Sequence, residues 1–203
     1  MEIIRKHRSE LHGVRIAEAH QGCFLGVSNA ISWAFKFESE LIILEDDVEI
    51  QRDFLEFTTE NLERYRNVFI VQSIAGSNFV PKNHMANPID DHRFSYFSNS
   101  WGWATWADRW NDYLMDLSSF PERRVSYPGN RLGIVNDLYW KMIFLQTQKG
   151  KFDAWDYRWL YSGWKRKRVN VVSNNNLAIN KGFGPDATHT KDGGVHWWLP
   201  SVN

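Results

Sequence analysis

A continuous apolar run, Leu41-Ile42-Ile43-Leu44, passes without a break into three consecutive acids, Glu45-Asp46-Asp47. An apolar run with no polar alternation is expected of a strand buried on both faces, the kind found inside α/β sheets. In open α/β sheets, ligands bind just beyond the carboxyl ends of the strands. The acids stand at that place. Side-chain alternation sends Glu45 and Asp47 to one side and Asp46 to the other. Three adjacent carboxylates repel one another, and holding them at the edge of a core is costly unless something neutralises them. A divalent cation does so, and oxygen ligands suit Mn2+ or Mg2+. On these residues alone a metal site and a solvated strand end stand at even odds.

The flanking pattern alternates short apolar runs with helical spacing, which implies βαβ units and an α/β class. Val14–Ala17 reads as a short strand. Phe24, Val27, Ile31 and Phe35 recur at helical spacing after Gly22. Asp53 with Glu56 forms a capping-box pattern that predicts a helix to about Tyr65. Val68–Val71 reads as the next buried strand. Residues 81–93 lose periodicity and form a loop long enough to be functional. Asn136–Gln148 predicts a helix stopped by Gly150, and a second is expected to start near Asp156. Val169–Val172 and Leu177–Ile179 read as strands around Ser173–Asn176. The Gly- and polar-rich tail from Lys181 is expected to close over a site. No repeat or linker divides the chain, so residues 1–203 read as one domain.

Twenty-four basic and 24 acidic residues balance, so no net field draws the chain to nucleic acid or to a membrane surface. No stretch reaches the roughly 20 apolar residues that a membrane helix needs. The single Cys23 fits a reducing cytoplasm, the expected location. Eleven Trp is a high number; such rings serve as core filling or as stacking surfaces for sugars and bases.

Several segments together resemble a known family. They are the apolar strand into Glu45-Asp46-Asp47, followed by Asp53-Phe54; Trp101-Gly102-Trp103-Ala104-Thr105-Trp106; Trp155-Asp156-Tyr157-Arg158-Trp159; and Gly182-Phe183-Gly184-Pro185-Asp186-Ala187-Thr188-His189-Thr190. In this order they resemble bacterial GT-A relatives of N-acetylglucosaminyltransferase I, members of the nucleotide-diphospho-sugar transferase superfamily. The resemblance covers almost the whole chain. It implies a Rossmann-like mixed sheet flanked by helices, and a strand and helix upstream of Met1, so that this chain is expected to be N-terminally truncated. Where relatives carry basic residues after the glycine, this chain has Cys23-Phe24-Leu25-Gly26.

The activity implied is metal-dependent transfer of a sugar from a nucleotide-diphosphate donor, a UDP-sugar by analogy, to a hydroxyl of a glycan or other acceptor, with inversion. Asp47 matches the direct metal ligand of the family motif, with Glu45 and Asp46 on donor ribose or sugar hydroxyls. Asp156 matches the general base, a role that needs one carboxylate near the acceptor hydroxyl; on sequence alone a helix N-cap explains it as well. Gly184 and Thr188 are expected on the donor diphosphate, and His189 on the donor or as a metal ligand. Trp103 and Trp106 are candidates to stack on the acceptor, with core packing as the other reading. Two further functions compete: a catalytically inactive, truncated carbohydrate-binding remnant using a Trp-rich surface, and a hydrolase pairing Asp47 with Asp156. A hydrolase needs two carboxyls about 5–9.5 Å apart, whereas three clustered acids favour a metal.

Overall fold

The computed structural model describes residues 11–117 and 133–182. Its elements run α1 (Gly22–Ala34), β1 (Glu40–Ile43), β2 (Val48–Ile50), α2 (Phe54–Tyr65), β3 (Val71–Ala75), β4 (His92–Ser95), β5 (Trp103–Trp106), α3 (Ala107–Trp110), α4 (Ile134–Gln148), α5 (Asp156–Lys165), β6 (Val169–Ser173) and β7 (Ala178–Asn180). Five strands form one mixed sheet in the order β1-β5-β3-β6-β4, and β2 pairs with β7 in a two-stranded ribbon. Only β3 and β6 run parallel; β1–β5, β3–β5 and β4–β6 are antiparallel. The class is therefore mixed α/β, with helices against a mixed sheet. No helix among the described residues is long and apolar enough to cross a membrane.

The sheet's two faces carry different cores, and β5 shows why. Alternation along a strand sends Trp103 and Trp106 to opposite sides. Trp106 and Ala104 join Phe54, Phe57 and Leu62 of α2. Trp103 joins Ile31 of α1, Trp110, Trp155 and Trp159. A third cluster, Phe144, Leu160, Tyr161 and Trp164, packs α4 on α5.

Several sequence expectations hold, and four need correction. The helices after Gly22, before Tyr65, over 136–148 and from Asp156 all form. Residues 14–17 form no strand; Val14 and Ile16 are exposed, with no buried face to reward pairing. The run Leu41–Ile43 is only half-buried, because β1 is the sheet's edge and pairs on one side alone. The strand expected over 68–71 instead begins at Val71, and Val68, Phe69 and Ile70 are exposed in the preceding turn. The whole of β3 is buried, the polar Gln72 and Ser73 included, each satisfied by a partner: Gln72 Nε2 donates to the Trp159 carbonyl at 2.9 Å and Ser73 Oγ to Asn170 Oδ1 at 2.7 Å. Asp53 does stand at the N-cap of α2, but its side chain makes no capping bond.

Candidate functional site

Glu45, Asp46 and Asp47 occupy a turn between β1 and β2, closed by Val48 N–H donating to the Glu45 carbonyl at 3.1 Å. Asp46 is exposed while Glu45 and Asp47 are half-buried, which is the sidedness that alternation predicts. The turn is fastened from across the fold: Lys181 N–H donates to the Asp47 carbonyl at 2.7 Å, just past the end of β7. The Asp47 carboxylate lies so close to Gly182 that a Cβ there would collide with Oδ2. Asp47 Oδ1 is buried and has no hydrogen-bond partner among the described residues. A buried carboxylate oxygen without a donor is costly, and a cation satisfies it.

The first turn of α5 brings the second half of the site. Asp156 stands one residue inside the helix, after Trp155 at the N-cap, and its Oδ1 accepts from Tyr157 N–H at 2.9 Å. The N-cap reading of Asp156 is thereby set aside. The electrostatics show which acids are neighbours. Burial first, then the charges of Asp47 and Asp156, push the Glu45 carboxyl up to about 7, against an opposing hydrogen bond from Trp155. Among the described residues, no basic residue contributes to that balance. Behind Glu45, burial followed by the charges of Glu45, Asp156 and Asp153 pushes the Cys23 thiol up to about 11.

Asp153, three residues before Asp156, caps α1. Its oxygens accept from Cys23 N–H at 2.9 Å and Phe24 N–H at 3.0 Å. Gly22 precedes the cap at φ 72°, and a Cβ there would strike the same carboxylate. That helix N-terminus, where relatives are expected to carry basic residues, is here closed by an acid.

Asp156 also lines a cleft of about 360 Å3 with Phe79, Val80, Arg93, Ser95, Phe97, Ser98, Asn99, Trp140, Tyr157 and Leu160. Its size falls within the roughly 300–1,000 Å3 of small-ligand clefts, and aromatic walls with a few polar groups are their usual lining. Sequence reasoning missed Asp153, Arg93 and the Ser95–Asn99 wall. The only signal was the aperiodic stretch that ends at Arg93.

Trp103 and Trp106 are not in this cleft. They are 1% and 0% exposed, consumed by the two faces of the sheet, and so are unable to stack on an acceptor. Trp110, Trp155, Trp159 and Trp164 are buried too, while Trp33, Trp101 and Trp140 are half-buried, and of these Trp140 lines the cleft. Gly184, Thr188 and His189 lie outside the described residues. Among the described residues no three His, Cys, Asp or Glu side chains converge closely enough to hold a metal ion by themselves. Asp47, with its unpartnered oxygen, fits as one ligand of a cation whose remaining ligands come from bound substrate and water.

No protein-family model matches the chain, and no curated protein is significantly similar to it.

Proposed function

We propose that this chain is a GT-A-type sugar transferase that moves a sugar from a nucleotide-diphosphate donor to an acceptor hydroxyl, with inversion. One observation carries the reading: the Glu45 carboxyl feels the charges of Asp47 and of Asp156, an acid more than a hundred residues away that itself lines a cleft. The mixed sheet, with the acids directly beyond the end of β1, supports it.

Asp47 would hold a divalent cation through its unpartnered Oδ1. When bound, Mn2+ or Mg2+ supplies charge stabilisation to the departing diphosphate. Glu45 and the exposed Asp46 would accept hydrogen bonds from donor hydroxyls. Asp156, on the cleft side, would take the proton of the acceptor hydroxyl as that oxygen attacks the anomeric carbon. A single base facing a single donor gives direct displacement, hence inversion. Asp156 is half-buried, and the Trp140 and Tyr157 rings that line the same cleft would limit water around the acceptor.

Thermal melting with Mn2+, with UDP and with both tests the reading. A rise in melting temperature is expected from UDP with Mn2+, larger than from either alone. If neither the metal nor any nucleoside diphosphate moves the transition, transfer is ruled out and the inactive carbohydrate-binding reading takes its place.

A further inference from the structure

The cleft that Asp156 lines is also lined by Arg93, a cation that no acid balances among the described residues. Arg93 sits on β4, and its guanidinium is tied to three neutral acceptors: Nη1 donates to the Ser173 carbonyl at 3.2 Å and to Asn174 Oδ1 at 3.0 Å, and Nη2 to Asn78 Oδ1 at 2.7 Å. Guanidinium has five N–H donors. The Nε hydrogen and one Nη2 hydrogen therefore carry no bond among the described residues, and guanidinium N–H donors suit an oxyanion. No salt bridge engages Arg93 among the described residues. Burial alone depresses its basicity, with no acid contributing to offset it.

Arg93 is half-buried, and a guanidinium withdrawn from water is commonly paired with a carboxylate. Here its neighbours Asn78, Asn174 and Ser173 hold its orientation without neutralising it. Asn78 and Asn174 are themselves fixed: Asn78 Nδ2 donates to the Val80 carbonyl at 3.0 Å and Asn174 Nδ2 to the Asp90 carbonyl at 2.9 Å. A half-buried cation, held in place by neutral acceptors and lining a cleft, is the arrangement of an anion-reading group.

We infer that the cleft takes an acceptor sugar bearing an anionic substituent, a carboxylate or a phosphate, which Arg93 binds while Asp156 faces the reacting hydroxyl. This rests on the transferase reading for the word acceptor, but the binding itself needs neither donor nor metal. Arg93 is then a specificity-determining residue: a neutral sugar leaves its fork empty, and the charge-assisted bonds are lost.

The test is donor-free. Methyl glucuronide, glucose 6-phosphate and methyl glucoside are titrated into the full chain without metal or nucleotide, while the Arg93 Nε–H resonance is followed by NMR. One of the two anionic probes is expected to shift that resonance and to bind roughly 10- to 100-fold tighter than the glucoside; whichever binds tighter names the anion. Arg93→Gln should erase the preference, and Arg93→Lys should retain part of it. Should Arg93→Gln fail to fold, the wild-type resonance and Arg93→Lys decide. Equal binding of all three probes, or a preference that survives in a folded Arg93→Gln, overturns the inference. So does displacement of the anionic probe by UDP with Mn2+, which would assign Arg93 to the donor. Loss of UDP binding with retained glucuronide or phosphate binding would instead fault the transferase reading and leave Arg93's role standing.

Discussion

The Asp153 carboxylate accepts the backbone N–H of Cys23 across 130 positions of sequence, at 2.9 Å, and so joins the start of α1 to the approach to α5. A second bond, from Phe24 N–H, makes the cap bidentate. Asp153→Ala should destabilise the fold by about 1 kcal/mol, as loss of a helix N-cap does. Urea unfolding measures it, and no change in midpoint would show that the cap carries no energy. Gly22→Ala should cost at least as much, since the left-handed backbone and the collision with Asp153 oppose any side chain there.

The Glu45 carboxyl shifts from 4.5 in the unfolded chain to about 7 in the fold. Between those values the folded chain keeps a proton that the unfolded chain has released. In metal-free buffer, Glu45 imposes no penalty below about pH 4.5 and a growing one up to about 7, beyond which the cost is constant. Glu45→Gln stays neutral throughout. Its denaturation midpoint should therefore gain on the wild type as pH rises from 5 to 8, a window set by that shift. A constant difference across the range would refute the burial-and-repulsion account.

Cys23, with its thiol pushed up to about 11, should be a poor nucleophile at neutral pH. Alkylation by iodoacetamide at pH near 8 should run about tenfold or more slower than that of an unhindered peptide thiol, after allowing for the higher intrinsic reactivity of a more basic thiolate. Because Glu45 is the largest charge contribution to the shift, Glu45→Gln should speed the reaction. Mass spectrometry of timed samples gives both rates.

Asp156→Asn and Asp47→Asn should separate the two halves of transfer. Losing the base should lower kcat by about 10²- to 10⁴-fold while leaving UDP–Mn2+ binding near the wild-type value. Losing the metal ligand should weaken UDP–Mn2+ binding first. Calorimetric titration beside initial rates distinguishes them, and the opposite pattern would reverse the assigned roles.

Trp103→Ala should cost about 3–5 kcal/mol, the range for emptying a buried aromatic site. A near-neutral effect on urea unfolding would return the ring to the surface and to ligand binding.

Helices were the most legible part of the chain, because the spacing of Phe24, Val27 and Ile31 or of the apolar side of 136–148 registers directly as a face. The turn at Glu45–Val48 was legible too, since an apolar run that stops at three acids must leave the core there. The strand after α2 was not. Val68, Phe69 and Ile70 look like core by composition, yet Phe69 lies under the Arg109 guanidinium, 4.6 Å from its ring centroid, and the buried strand behind it carries Gln72 and Ser73. Tertiary hydrogen bonds decide that exchange, and local pattern does not contain them. The same limit applies at the site. Asp153 and Arg93 gain their surroundings from partners 130 and 80 positions away, so their residue types alone say nothing. For Trp103 and Trp106 the sequence left stacking and core packing both open, and the structure takes the core: their rings fill the sheet's two faces.

Ile43 lies opposite Trp103 in the sheet, and Trp103 stacks on Trp155 with ring centroids 5.3 Å apart and planes within 19°. Two residues beyond Ile43 comes Glu45, and one residue beyond Trp155 comes Asp156. The indole pair is thus the spacer of a caliper whose jaws are the two carboxylates. A side chain only 1% exposed thereby helps to space the two carboxylates. Thinning that spacer, as with Trp103→Phe, would retune the gap while leaving every acid in the chain untouched.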